Sequence, residues 1–136
     1  MTDKIVARFI IEIAGKPVEN VEKALNLVLD KIKSEKKRFK LVESHIGEPE
    51  LNEETTLYDG FLDIEIKFSE VKELMNFIMD YTPTSVEVVE PDTIKFDLVD
   101  INDFLNTYSA SLLELHGKLR NLNAHIHFLN KKLEQK

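Results

Sequence analysis

The sequence predicts an α+β protein: a ferredoxin-like β-α-β-β-α-β domain with an antiparallel sheet, followed by a long C-terminal coiled-coil helix. Three observations carry this. Residues 4–13 and 56–68 alternate apolar and polar side chains with the period of a strand. Residues 18–37 and 69–80 repeat apolar side chains with the period of a helix. Beyond residue 100, ten apolar residues fall at alternating gaps of four and three, the spacing of a coiled coil.

In the first strand, Ile5, Ala7, Phe9, Ile11 and Ile13 share one face, and Lys4, Arg8 and Glu12 lie on the other with Val6 and Ile10. Ala14-Gly15-Lys16 ends it. Pro17 suits the first turn of a helix, where its missing N–H costs nothing. Val18, Val21, Leu25, Val28, Leu29 and Ile32 then line one helix face to about residue 37. Glu19 and Glu22 sit near its positive end and Lys31, Lys33, Lys36, Lys37 and Arg38 near its negative end, as the helix dipole favours. Residues 39–48 form a second, less regular strand, and an acidic loop with Glu48, Glu50, Glu53 and Glu54 follows. The third strand turns Tyr58, Leu62, Ile64, Ile66 and Phe68 to one side, with Asp59-Gly60 marking a bulge or tight turn. Ser69 is the expected N-cap of the second helix, with Val71, Leu74, Met75 and Ile78 inward. Residues 85–90 form a fourth strand with Val86 and Val88 facing in, and Ile94, Phe96 and Leu98 a short fifth.

Asp100 is the expected N-cap of the last helix, with Asp103 in the place of a capping box. Leu105, Leu112, Leu119, Ile126 and Leu133 occupy heptad position a, and Ile101, Tyr108, Leu115, Leu122 and Leu129 position d. The register runs across Gly117 without a slip, which favours a continuous helix over a hairpin. Such a seam wants a partner. These ten residues are the expected oligomer interface, with a dimer as the default. Residues 1–99 are expected to form the ferredoxin-like domain and residues 100–136 the oligomerisation helix.

Net charge is −7. Residues 1–99 carry 21 acids against 13 bases, whereas residues 100–136 carry 4 acids, 5 bases and three of the four His. An acidic body disfavours nucleic acid and anionic membrane, which recruit a positive field, and fits a protein partner with a basic surface. There is no Cys, which removes disulfides and thiol chemistry. Met1-Thr2-Asp3-Lys4 opens no leader-like basic and apolar run, and no stretch is long enough to span a membrane, so a soluble cytoplasmic protein is expected.

No catalytic, metal or cofactor motif stands out, so neither an enzyme nor a cofactor is expected. His125 and His127 lie on different sides of the helix, and His116 is more than two turns from His125, so they do not form a chelating set. Glu12, Asp59, Asp63 and Glu65 gather on the outer sheet face if the first and third strands pair, with Arg8 and Lys67 beside them. Phe61 is the clear aromatic on that face, too few for base stacking. Gly15, Lys16 and Pro17 join the first strand to the first helix. In small-molecule-sensing domains of this order, the ACT type among them, a Gly-bearing loop here lines a ligand pocket between subunits.

Two segments, Tyr81-Thr82-Pro83-Thr84-Ser85-Val86-Glu87-Val88-Val89-Glu90-Pro91 and Asp100-Ile101-Asn102-Asp103-Phe104-Leu105-Asn106, resemble a segment pair in small uncharacterised archaeal proteins. Ile11-Glu12-Ile13-Ala14-Gly15-Lys16-Pro17 resembles them too. The resemblance implies an archaeal-type cytoplasmic protein and supplies no catalytic residues. The expected function is an interaction or scaffold protein paired through its C-terminal helix. The alternative is an ACT-like sensing domain, and the weakest reading is an enzyme built on Glu12, Asp63 and Glu65.

Overall fold

The computed structural model describes residues 4–135. Met1–Asp3, which were read above for a leader, and Lys136 lie outside the described residues. The chain divides between Lys95 and Phe96 into two compact units. The first holds β1 (Ile5–Gly15), α1 (Val18–Ser34), β2 (Lys40–Ile46), β3 (Glu50–Asn52), β4 (Leu57–Phe68), α2 (Val71–Tyr81) and β5 (Ser85–Glu90). The second holds α3 (Leu98–Glu134), the long C-terminal helix. The five strands form one open antiparallel sheet in the order β2-β4-β1-β5, and β3 pairs with β4 beyond the end of β2.

Alternation in the sequence becomes a buried face. Ile5, Ala7, Phe9 and Ile11 of β1 lie opposite Phe68, Ile66, Ile64 and Leu62 of β4, and all eight are buried. From α1, Val21, Leu25, Leu29 and Ile32 come down on this face, and α2 adds Leu74, Phe77 and Tyr81. Each large apolar side chain so buried contributes about 1.5–3 kcal/mol. Phe77 is the hub of the aromatic part. Its ring centroid lies 4.5 Å from Phe9, 4.6 Å from Tyr81, 5.4 Å from Phe39 and 5.9 Å from Phe68.

Gly60 sits among the inward positions of β4 and is buried. A Cβ there would lie 2.8 Å from both Leu25 Cδ1 and Val21 Cγ1, so its bare backbone is what lets α1 approach the strand. The pairing of β1 with β4 runs through Gly60 without a register shift. Asp59-Gly60 is therefore neither bulge nor turn, and the glycine answers to helix packing.

Other expectations shift. The acidic loop contains β3, because Glu50–Asn52 find Leu57–Asp59 across a turn in which Asn52 Oδ1 accepts from the Glu54 N–H. α1 stops at Ser34, short of residue 37. Glu70 rather than Ser69 occupies the N-cap of α2, in extended backbone and without a side-chain cap bond. Phe77, absent from the expected inner face of α2, is fully buried, whereas Met75 is only half-buried. Val86 and Val88 do face inward by register, opposite Phe9 and Ala7, yet they remain 43% and 39% exposed. The reason is that α1 and α2 pack over β1 and β4 and neither reaches the edge strand β5. Residues 94–98 form no strand. They follow Pro91, which has no N–H for a ladder; Ile94 packs against the core and Leu98 opens α3. The N-cap of α3 is Asp97, not Asp100, and Asp97 C=O accepts the Ile101 N–H at 3.0 Å. The Asp-x-x-Asp spacing occurs at both 97–100 and 100–103, which leaves the start undecided by one turn.

Candidate functional site

The strongest candidate surface is the seam of α3. The helix runs 37 residues, through Gly117, without interruption. None of its residues is buried. Leu105, Tyr108, Leu112, Leu115, Leu119, Leu122, Ile126, Leu129 and Leu133 are all exposed, from 36% at Leu112 to 69% at Leu133, and Ile101 is half-buried. Starting the helix at Leu98 adds one further a position, itself 77% exposed. So continuous an apolar stripe is unusual on a helix facing water, since single exposed leucines are common but contiguous ones are not. The flanks carry no acid: Asn102, Ser109, His116, Asn123 and Asn130 stand at e, and Phe104, Ser111, Lys118, His125 and Lys132 at g. Glu114 and Lys118 pair along the helix at 3.2 Å, outside the seam.

On the outer sheet face Glu12, Asp59, Asp63 and Glu65 all stand at outward positions of β1 and β4, and β2 brings an acid and a histidine beside them. Arg8 lies opposite Glu65 and reaches Asp63 at 3.4 Å, while Glu12 lies opposite Phe61. Asp59 is taken up locally, accepting from Asn52 Nδ2 at 3.1 Å. β2 adds Glu43 opposite Glu65 and His45 opposite Asp63, which its irregular pattern hid from the sequence reading. Arg8, Glu43, Ser44, His45, Asp63 and Glu65 line a hollow of only about 80 Å³. Among the described residues, no three His, Asp or Glu side chains converge as a metal ion requires. Phe61 is committed within its own sheet. Its ring lies over Gly47, where a Cβ would come within 2.1 Å of it, an aromatic covering a glycine across the strand pair.

At the β1–α1 junction, Gly15 is half-buried with no positive φ, and Lys16 and Pro17 are exposed. The Lys16 and Pro17 carbonyls accept from Asn20, which fixes the turn. Gly15 stands opposite Tyr58 of β4.

One cluster was not foreseen at all. Arg38, in the α1–β2 connection, donates to Glu35 at 2.9 Å, Glu73 at 3.1 Å and Asp80 at 3.1 Å. Tyr81 O–H donates to the other oxygen of Glu35 at 2.5 Å. One guanidinium thus ties the end of α1 to both ends of α2, using the fork geometry that lysine lacks. Partial burial alone would raise the Glu35 carboxyl, but the bonds from Tyr81 and Arg38 and the charges of Arg38 and Lys31 outweigh it and hold Glu35 below its ordinary 4.5. Burial, then the bond to Glu35 and its charge, push the Tyr81 phenol well above its ordinary 10.0.

The signs give a pH dependence. Glu35 is depressed in the folded state, so its contribution is present above pH 4.5 and is lost as pH falls below it. Tyr81 is raised, so its contribution is present below pH 10.0 and is lost as pH rises beyond it. Denaturant midpoints are therefore expected to fall on both sides of a plateau, and Arg38→Met to shrink the drop between pH 6 and pH 3. An acid limb unchanged by Arg38→Met would remove Glu35 from the account.

No helix of the described residues is long and apolar enough to cross a membrane. A family model, that of the MJ0538 family, matches residues 6–135. No curated protein and no solved structure matches the chain.

Proposed function

This chain belongs to the MJ0538 family, and from that premise we propose that it is an oligomerising interaction or scaffold protein that pairs through its C-terminal helix. The family match spans nearly all of the sheet unit and the whole of α3. The helix is thus part of the family's shared extent rather than an added tail. The observation that carries the reading is the unbroken exposed heptad seam on one continuous helix. Leu112, Leu115, Leu119, Leu122 and Ile126 form its centre.

The occupant of the seam is a second copy of α3. A heptad stripe is complementary to itself, and in a parallel self-pair Lys118 and His125 at g meet Asn123 and Asn130 at e, so no lysines oppose one another across the seam. Any further partner fits the acidic body with a basic surface. The body is read as ferredoxin-like, with β2 and β3 taken as one strand interrupted at Gly47–Pro49, and the protein as an archaeal-type cytoplasmic one, as its sequence resemblance implies. Light-scattering mass after gel filtration, over a tenfold concentration range, tests the proposal on the full chain and on residues 1–99. An oligomeric full chain with a monomeric body supports it; a monomeric full chain overturns it.

The second reading is an ACT-like sensing domain, favoured by the central place of β1 and the loop Gly15-Lys16-Pro17 at its end. A thermal-shift screen of amino acids and nucleotides separates the two, because a ligand specific to the folded state raises stability.

A further inference from the structure

A cavity in the first unit has a chemistry of its own. It encloses about 550 Å³ between the end of α1 and the start of β2. That volume falls in the range of small-molecule sites. Its apolar lining comes from Ile32, Phe39 and Leu41, and its polar lining from Lys33, Lys36 and Lys40. Ile32 and Phe39 are the outer edge of the core, buried to 1% and 6% exposure.

The cations here are unusual for this body. Six of the 13 bases of residues 1–99 lie between Lys31 and Lys40, in a segment with one acid. That acid, Glu35, is taken by Arg38 and Tyr81. Arg38 is saturated by three carboxylates. Lys31 lies over the Tyr81 ring at 5.4 Å. Among the described residues, Lys33, Lys36 and Lys40 have no carboxylate within ion-pair distance. The helix dipole accounts for Lys31 and Lys33 in the last turn of α1. It does not account for Lys36 and Lys40, which lie outside the helix, or for the apolar lining they share.

We propose that this groove binds a small anionic amphiphile, an apolar chain or ring ending in a carboxylate or phosphate. The apolar part packs along Leu41 and the edge of the core at Ile32 and Phe39, and the head meets three lysines that have no carboxylate within ion-pair distance among the described residues. Neither half suffices, because an anion alone stays solvated and an apolar strip this small gives little affinity.

The test uses the full chain and decanoate, kept below its micelle concentration, with acetate and decanol as the two halves. Amide NMR shifts give both affinity and place. The proposal expects saturable decanoate binding that perturbs Ile32, Phe39 and Leu41, with acetate and decanol each at least tenfold weaker. Lys33→Gln/Lys36→Gln, two exposed changes, is expected to weaken decanoate at least tenfold with the far-UV spectrum unchanged. Decyl phosphate in the same titration identifies the preferred head. The proposal is overturned if decanoate fails to bind, if acetate or decanol matches it, if the double variant binds like the parent, or if the shifts fall in α3.

Discussion

A Leu119→Asp chain is expected to elute at the mass of one copy under conditions where the parent elutes as an oligomer. Leu119 stands at the middle a position of the seam and is 47% exposed on the single helix. In a paired helix it is covered by the facing a and d side chains. Truncating a buried leucine costs about 2–5 kcal/mol, and an unpaired carboxylate in its place adds the cost of losing its water. A pair of helices meets that loss twice. Even about 3 kcal/mol per helix weakens association by roughly four orders of magnitude, at about 1.4 kcal/mol per decade. Asn121→Asp, two residues away at position c, adds the same charge off the seam and is expected to leave the mass unchanged. Equal masses for parent and Leu119→Asp would sink the seam assignment.

Phe77→Ala is expected to have the largest effect on the body. Phe77 is fully buried and touches four aromatic rings from β1, β4, α2 and the α1–β2 connection. Nothing adjacent is free to collapse into the space, since Phe9 and Phe68 are held in the central strands and Tyr81 is held by Glu35. The expected loss is about 3–5 kcal/mol, a large part of the roughly 5–15 kcal/mol that stabilises a domain. Near-UV circular dichroism reads it at fixed protein concentration, because Tyr81 stacks on Phe77 and the chain has no Trp. A urea midpoint within experimental scatter of the parent's would show that Phe77 is not the hub described.

What could be read from the chain alone follows from what periodicity encodes. The alternation of β1 and β4 assigns each side chain to a face, and the structure keeps those assignments. Alternation does not say whether another layer lies above that face. Val86 and Val88 were rightly placed inward and are exposed nonetheless, because coverage depends on where α1 and α2 land. Gly60 looked like a turn signal because a glycine's reason for being there lies in its neighbour, here α1, and the neighbour is distant in sequence. The Arg38 cluster was illegible for the same reason: Glu35 is near in the chain, but Glu73 and Asp80 arrive through the fold. For α3, the long continuous helix was legible, because a heptad is a local pattern. Its first turn was not, because two overlapping Asp pairs offer the same cap.

The central place of β1 has a consequence in time. It pairs with β4 on one side and β5 on the other, and neither exists until much later in synthesis. About 40 residues separate the end of β1 from the start of β4, which at roughly 5–20 residues per second is about 2–8 s of elongation. During that interval Phe9, Ile11 and their neighbours belong to an apolar strand with two open edges, and of the elements that pack on it only α1 has been made. The β2–β4 ladder, joined by a short connection, is quick to close once made, whereas β1 must be recruited across a long loop. The nascent chain therefore exposes an apolar strand early and pairs its edges late, so its yield in a cell depends on what holds β1 meanwhile as well as on the final fold.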